Sequence, residues 1–486
     1  LLDAWPEGHA WYFPSEAPMA LEALDETQTW VGATAKQIAR AVRRGDASAT
    51  EVVSDHLAHI TARGAVVRAF RLLRGGEALA EADAVDAQEE LVNLPLAGVP
   101  VAVKENTAIA GLPTWNGSAH ARTAVAAEDH EVVRRLRGAG AVVVGTTRAP
   151  ELCIWPFTDD SDAVTRNPWR TDRTPGGSSG GAAAAVASGM VPLAHGNDGL
   201  GSIRIPAAAC GLVGIKPGRG VVPAAMGAND WYGLAEHGLL TTTVADAAAG
   251  LAVLAGWAPP QLAPPDRLRV AVSTRSPVVG VFPDAAAKAA VSSATKLLIG
   301  AGHDAIDRSP TYPTRLGYRT IATWCAAVYD DVTANGLDRR ELQPRTRRHM
   351  EIGRWASRHG FVQAEHRAKW RRDCEAWFGD NNVDVLLTPA LATSPPAAEE
   401  FHTKSWSANM LASLRFAPYA APWNVAGFPA MVVPMGVRTD GLPVAVQLVG
   451  PPGSELRLLA VAGQLEEASP WLRHAPGWPL RSTEPG

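Results

Sequence analysis

Apolar positions recur every three or four residues across 33–63. Ile38, Ala41 and Val42 form one stripe, and Val52, Val53, Leu57 and Ile60 form a second after Thr50. This spacing predicts two consecutive amphipathic helices, and the Ala/Glu/Asp-rich stretch 77–92 predicts a third. The pattern then shifts to short continuous apolar runs. Residues 99–103 read as a buried strand with Lys104 at its end, and 130–146 as a helix (Val132, Val133, Leu136) followed by a strand. Residues 151–175 have no period. The alanine run 182–187 predicts a helix opened by the glycine-serine loop 176–181. Residues 196–206 read as a glycine-broken loop that delivers Ser202 to an apolar segment.

Later residues predict a helix over 241–256, a strand over 268–272 and two helical segments up to 330. The Arg-rich stretch 338–380 reads as solvated helical faces, 383–388 as a short buried strand, and the Pro/Ser/Trp-rich 391–424 as a cover. Residues 428–435 and 442–449 predict two adjacent strands turning at Gly441, before a last helix over 455–467. Helix and strand patterns alternate in this way in α/β proteins. Residues 1–32, rich in Trp, Pro and Glu, read as an extension packed on the body.

Composition narrows the classes. A chain of 486 residues has the length of two or three average domains, yet no linker or repeat divides it, and large α/β enzymes reach this size as one unit. A net charge of −4 offers no basic field for nucleic acid. The longest apolar run, 182–194, is interrupted by Gly189 and Pro192 and is too short to span a bilayer. Asp3, Pro6 and Glu7 argue against a secretory leader. Cys153, Cys210, Cys325 and Cys374 have neither disulfide-framework nor zinc-ligand spacing, which fits a reducing, cytoplasmic compartment.

Three features carry candidate chemistry. The chain uses 7 Lys against 38 Arg, so a lysine closing an apolar strand stands out. Lys104 reads either as a snorkelling side chain or as a desolvated base. The second feature is Ser178-Ser179, framed by glycines at a helix N-terminus, where the dipole favours negative charge. Gly176 to Gly180 match the pattern of a nucleophile elbow, but 165–175 is polar and proline-bounded where that motif needs a strand. The third is Ser202, inert without a base. No phosphate loop, dinucleotide fingerprint or zinc-protease motif is present.

The stretches GVPVAVKEN (98–106), TRNPWRTDRTPGGSSGGAAAAVASG (165–189), GNDGLGSIRIPAAACGLVGIKP (196–217), DVLLTP (384–389), NVAGFPAMVVPMG (424–436) and GLPVAVQLVG (441–450) resemble those of the amidase signature family of serine hydrolases. The resemblance runs from about residue 33 to 470. It implies one large α/β domain over 33–486 with a twisted mixed β-sheet sandwiched between helices. It also implies a Ser–cis-Ser–Lys triad of Ser202 as nucleophile, Ser178 as bridge and Lys104 as base. Lowering a lysine pKa from about 10.4 to near 7 takes roughly 4–5 kcal/mol, and burial works in that direction.

The same resemblance implies an oxyanion hole from the N–H groups of Gly199, Leu200, Gly201 and Ser202. Asp198 and Arg204 would hold that loop rigid, and Ser179 would support the base or cap its helix. Cys153, Ile154, Trp231, Trp324 and Trp423 are the substrate-contact candidates. Asn197, Leu200 and Glu105 depart from common family residues. The His195-Gly196-Asn197-Asp198 form is similar to the branch that cleaves 6-aminohexanoate cyclic dimers.

The expected activity is hydrolysis of a small or medium amide, linear or cyclic, with no metal and no cofactor. The alternatives are acyl transfer or amide formation from the same acyl-enzyme, and ester or carbamate cleavage. The expected partner is a small-molecule amide rather than nucleic acid or membrane, with room for a homodimer.

Overall fold

The computed structural model describes residues 29–478. Its strands are β1 (Phe70–Leu73), β2 (Pro100–Lys104), β3 (Val142–Thr147), β4 (Leu193–Asp198), β5 (Val213–Lys216), β6 (Glu236–Thr241), β7 (Arg269–Val272), β8 (Asp304–Asp307), β9 (Val385–Pro389), β10 (Ala430–Val437) and β11 (Pro443–Val449). They join one mixed sheet of eleven strands in the order β1-β3-β2-β4-β6-β5-β10-β11-β9-β7-β8. β2 runs parallel to β3 and β4, β7 runs parallel to β8 and β9, and the middle of the sheet is antiparallel. Helices cover both faces. β2, β3 and β9 are therefore buried throughout, which is why they read as unbroken apolar runs rather than alternating ones.

The sheet sets the site by register. Ala102 of β2 lies opposite Ala194 of β4, so the parallel strands finish at one sheet edge with Lys104 beside the 196–198 end of β4. The helix Gly180–Ala187 begins at the same place, and all of its residues are buried. Its alanines and glycines allow that depth: a Cβ on Gly180 would lie 2.2 Å from Thr158 Oγ1.

The sequence reading differs from the fold in particular places. Residues 193–198 form a strand and Arg204–Cys210 a helix, so the loop is confined to 199–203. β4 carries His195, Gly196, Asn197 and Asp198, a polar run without the apolar alternation that marks strands. Residues 391–424, read as a cover without assigned elements, contain the helices Trp406–Phe416 and Ala421–Ala426. Of the expected extension over 1–32, residues 1–28 lie outside the described residues.

All four cysteines are buried and unbridged. Among the described residues no helix is long and apolar enough to cross a membrane, and no cluster of three or more His, Cys, Asp or Glu could hold a metal ion.

Candidate active site

Lys104 is wholly buried. Its Nζ lies 2.7 Å from Ser178 Oγ and 2.8 Å from Asn197 Oδ1. Asn197 is turned by its other end, because its Nδ2 donates to Asn106 Oδ1 at 2.8 Å. Burial pushes the Lys104 amine below its ordinary range, and nearby Cys153, Asp198 and Glu105 oppose that shift without reversing it. Glu105 is itself occupied by Arg71 Nε at 2.9 Å and the Ala149 N–H at 2.6 Å. The Gly177–Ser178 peptide is cis. Ser179 makes no side-chain cap to its helix. Its hydroxyl donates to the Asn197 carbonyl at 3.3 Å, and its N–H to the Ser202 carbonyl at 3.1 Å. The serine pair thus ties the lysine to the Ser202 loop.

That loop is fastened from below. Asp198 and Arg204 form a buried ion pair, Nε to Oδ2 at 2.9 Å and Nη2 to Oδ1 at 3.0 Å. Arg204 also donates to the Ala420 carbonyl at 3.0 Å, Gln447 Oε1 at 2.8 Å and Asn424 Oδ1 at 2.5 Å. Burial alone would raise the Asp198 carboxyl, but Arg204, then Lys216 and Asn424, hold it well below the usual carboxylate range. Removing one partner of such a pair leaves the other charge buried alone. Arg204→Met is accordingly expected to cost about 3–5 kcal/mol of stability by chemical denaturation.

Asp198 also corrects the expected oxyanion hole. The Gly201 N–H donates to Asp198 Oδ1 at 2.6 Å and is not available to a substrate. The N–H groups of Gly199, Leu200 and Ser202 have no acceptor among the described residues. Gly201 is needed for shape instead. Its φ is +122°, and a Cβ there would meet Ala420 Cβ at 2.6 Å.

Ser202 opens onto two chambers. One, of about 560 Å³, is polar and lined by Asn106, Asn116, Ser178, Asn197, Asp331 and Asn335. The other, of about 930 Å³, is largely apolar, with Ile154, Trp155, Leu200, Ile321, Trp324 and Leu414 among its walls. Cys153 and Trp231 border both. The Ser202 hydroxyl has no hydrogen bond to Ser178 or to any other described residue. Trp231 is set by Asp331, whose carboxylate accepts the indole N–H at 2.7 Å and the Ala228 N–H at 2.6 Å. Burial lifts the Asp331 carboxyl to about 6 against the pull of those two donors.

Cys153, Ile154, Trp231 and Trp324 therefore all face the cleft, and Trp423 does not. Ala421 and Pro422 of its short helix line the apolar chamber, while Trp423, 1% exposed, turns away into a core with Phe378 and Phe428. Asn106, Asn116, Asp331 and Asn335 were not singled out in the sequence. Asn106 directly follows the Lys104-Glu105 pair and could have been. Asp331 sits on the long helix Thr314–Ala334, with nothing local to mark it.

With this geometry, comparison with known proteins is specific. A family model described as Amidase matches residues 51–459. AmiB2 of Mycobacterium tuberculosis, which carries an amidase name, is 40% identical over 469 residues, covering 93% of this chain and 99% of the relative. The 6-aminohexanoate-cyclic-dimer hydrolase of Paenarthrobacter ureafaciens is 33% identical over 494 residues, covering 93% and 98%. A solved structure of a 6-aminohexanoate cyclic dimer hydrolase with its substrate superposes with a TM-score of 0.82 at 30% identity, covering 94% of this chain and 100% of that one. The chain belongs to the amidase signature family. It is a hydrolase of amide C–N bonds.

Proposed function

We propose that amide cleavage proceeds through an acyl-enzyme on Ser202, with Ser178 as proton bridge and neutral Lys104 as base. The observation that supports this most is the 2.7 Å contact between buried Lys104 Nζ and Ser178 Oγ, with Ser178 lining the polar chamber onto which Ser202 opens. Ser202 Oγ attacks the carbonyl carbon. Its proton passes to Ser178 Oγ, and the Ser178 proton passes to the Lys104 lone pair. The N–H groups of Gly199, Leu200 and Ser202 receive the oxyanion. As the C–N bond breaks, the proton returns from Lys104 through Ser178 to the leaving nitrogen. Water then hydrolyses the ester by the same relay. Asn197 orients the lysine by accepting one of its N–H bonds.

The chambers suit an amide with a medium-sized apolar acyl chain on one side of the scissile bond and a polar amine portion on the other. A lactam or cyclic dimer such as the substrate of the 6-aminohexanoate-cyclic-dimer hydrolases meets that description. We place the enzyme in a reducing compartment, the cytoplasm, on the strength of its unbridged cysteines.

The test is a panel of linear amides, lactams, esters and carbamates, with mass spectrometry of the trapped intermediate. The expected result is an acyl adduct on the peptide containing Ser202. An adduct elsewhere, or turnover of esters with none of amides, overturns the reading. Leu200 narrows the apolar chamber, so Leu200→Ala is expected to raise kcat/KM for bulky over small acyl groups by roughly 10-fold, checked with acyl anilides of graded size.

A further inference from the structure

The helix Thr314–Ala334 walls the apolar chamber with one face. Other residues of it line a shallow groove together with the helix Ala364–Asp380. The ionisable side chains lining this groove are Arg315, Arg319, His366, Arg367, Lys369 and Asp373. Lys369 bridges to Asp373 at 2.7 Å, which neutralises the lone carboxylate among them. Arg315, Arg319 and Arg367 enter no salt bridge and no hydrogen bond among the described residues.

Arg367 is the most telling of the three. Its Nε and Nη1 are buried atoms with no acceptor, and His366 Nδ1 beside it is also buried and unpartnered. Its guanidinium also faces a like charge. A Cβ on Gly233 would touch both Arg367 Nη1, at 2.8 Å, and Arg219 Nε, at 3.4 Å. Arg219 is already spent on the carbonyls of Gly233, Asn424 and Val425. Burial and Arg219 push Arg367 down to about 10, still a cation at neutral pH. Buried N–H donors without acceptors are costly, and a charged fork of them matches the paired oxygens of an oxyanion.

We propose that this groove binds an oxyanion, the carboxylate or phosphate group of a small molecule, at a place distinct from the Ser202 cleft. Leu316 and Thr320 line both groove and cleft, so the anion has two sources: a free small molecule, or the far end of a substrate whose acyl part fills the apolar chamber. The Trp370 ring and Leu234 give the apolar portion next to that group a surface to rest on.

Calorimetric titration of the intact protein with inorganic phosphate and with glutarate, at fixed ionic strength, tests the site without requiring turnover. Wild type is expected to bind at least one of them saturably, with Arg367→Gln and Arg319→Gln each at least about 10-fold weaker. Arg319 is only half-buried, so its variant carries the test if Arg367→Gln does not fold by circular dichroism. The source is read from KM for an amide ending in a carboxylate against its neutral methyl-ester counterpart. A rise in that ratio in Arg319→Gln assigns the anion to the substrate, and an unchanged ratio with phosphate still bound by wild type assigns it to a free ligand. Absence of saturable binding of either anion by wild type up to about 10 mM, or equal affinity in both variants, overturns the proposal.

Discussion

Replacing Ser202 with alanine is expected to lower kcat by about 10⁴–10⁶-fold and to abolish the acyl adduct, with the thermal midpoint unchanged. The asymmetry follows from how this serine sits. It is half-buried at the mouth of two chambers and its hydroxyl bonds to no other described group, so folding loses little when it goes. In the proposed mechanism, catalysis loses the atom that joins the substrate. The measurement is single-turnover hydrolysis of the best amide from the panel, with intact-protein mass recorded alongside. Retention of more than a few per cent of wild-type activity would remove Ser202 from the role of nucleophile.

The second large effect is at Lys104. Lys104→Met keeps most of the volume of a buried side chain but removes its lone pair, and should cost about 10²–10⁴-fold in kcat/KM. The pH profile identifies the cause. In the proposed relay the lysine works only when neutral, and its pKa is lowered by burial, so wild-type kcat/KM should climb with pH along a limb on the acid side of the ordinary lysine value. That limb should be absent in Lys104→Met.

Stability has its own sign. With the folded pKa below the unfolded one, the unfolded chain binds the extra proton between the two values. The buried lysine therefore costs stability below its folded pKa, and the cost fades as pH rises toward its ordinary value. Relative to wild type, Lys104→Met should be stabler at pH 7 than at pH 10 by denaturant midpoint. An active variant with the wild-type pH limb would exclude Lys104 as base.

Much of the framework was legible because the chemistry sits where simple patterns meet. β2 is a plain apolar run, so the lysine at its end was conspicuous, and the alanine helix marked the serine pair by opening directly after it. β10 and β11, with Gly441 at φ +81° between them, were also readable from turn chemistry. β4 was not readable. It lies inside the sheet and takes its burial from its neighbours, so His195, Asn197 and Asp198 are buried with no apolar alternation to mark the strand.

The oxyanion loop shows the limit of local reading. Four consecutive N–H groups looked equivalent in the chain, yet one is committed to Asp198. Trp423 failed for a rotational reason: on a one-and-a-half-turn helix its neighbours Ala421 and Pro422 took the cleft, and it took the core. Arg367, within a stretch that reads as solvated helical face, has polar atoms buried where Gly233 and the Arg219 side chain lie against it.

The anchoring of Arg204 carries a consequence for how the enzyme is born. Its partners Ala420, Asn424 and Gln447 lie 216, 220 and 243 residues further along the chain. A ribosome adding roughly 5–20 residues per second makes Ser202 roughly 10–50 s before it makes the last of those anchors. Through that interval Ser202 exists without the partners that fix its loop. The loop is fully anchored only once the Ala421–Ala426 helix and β11 have been made and docked.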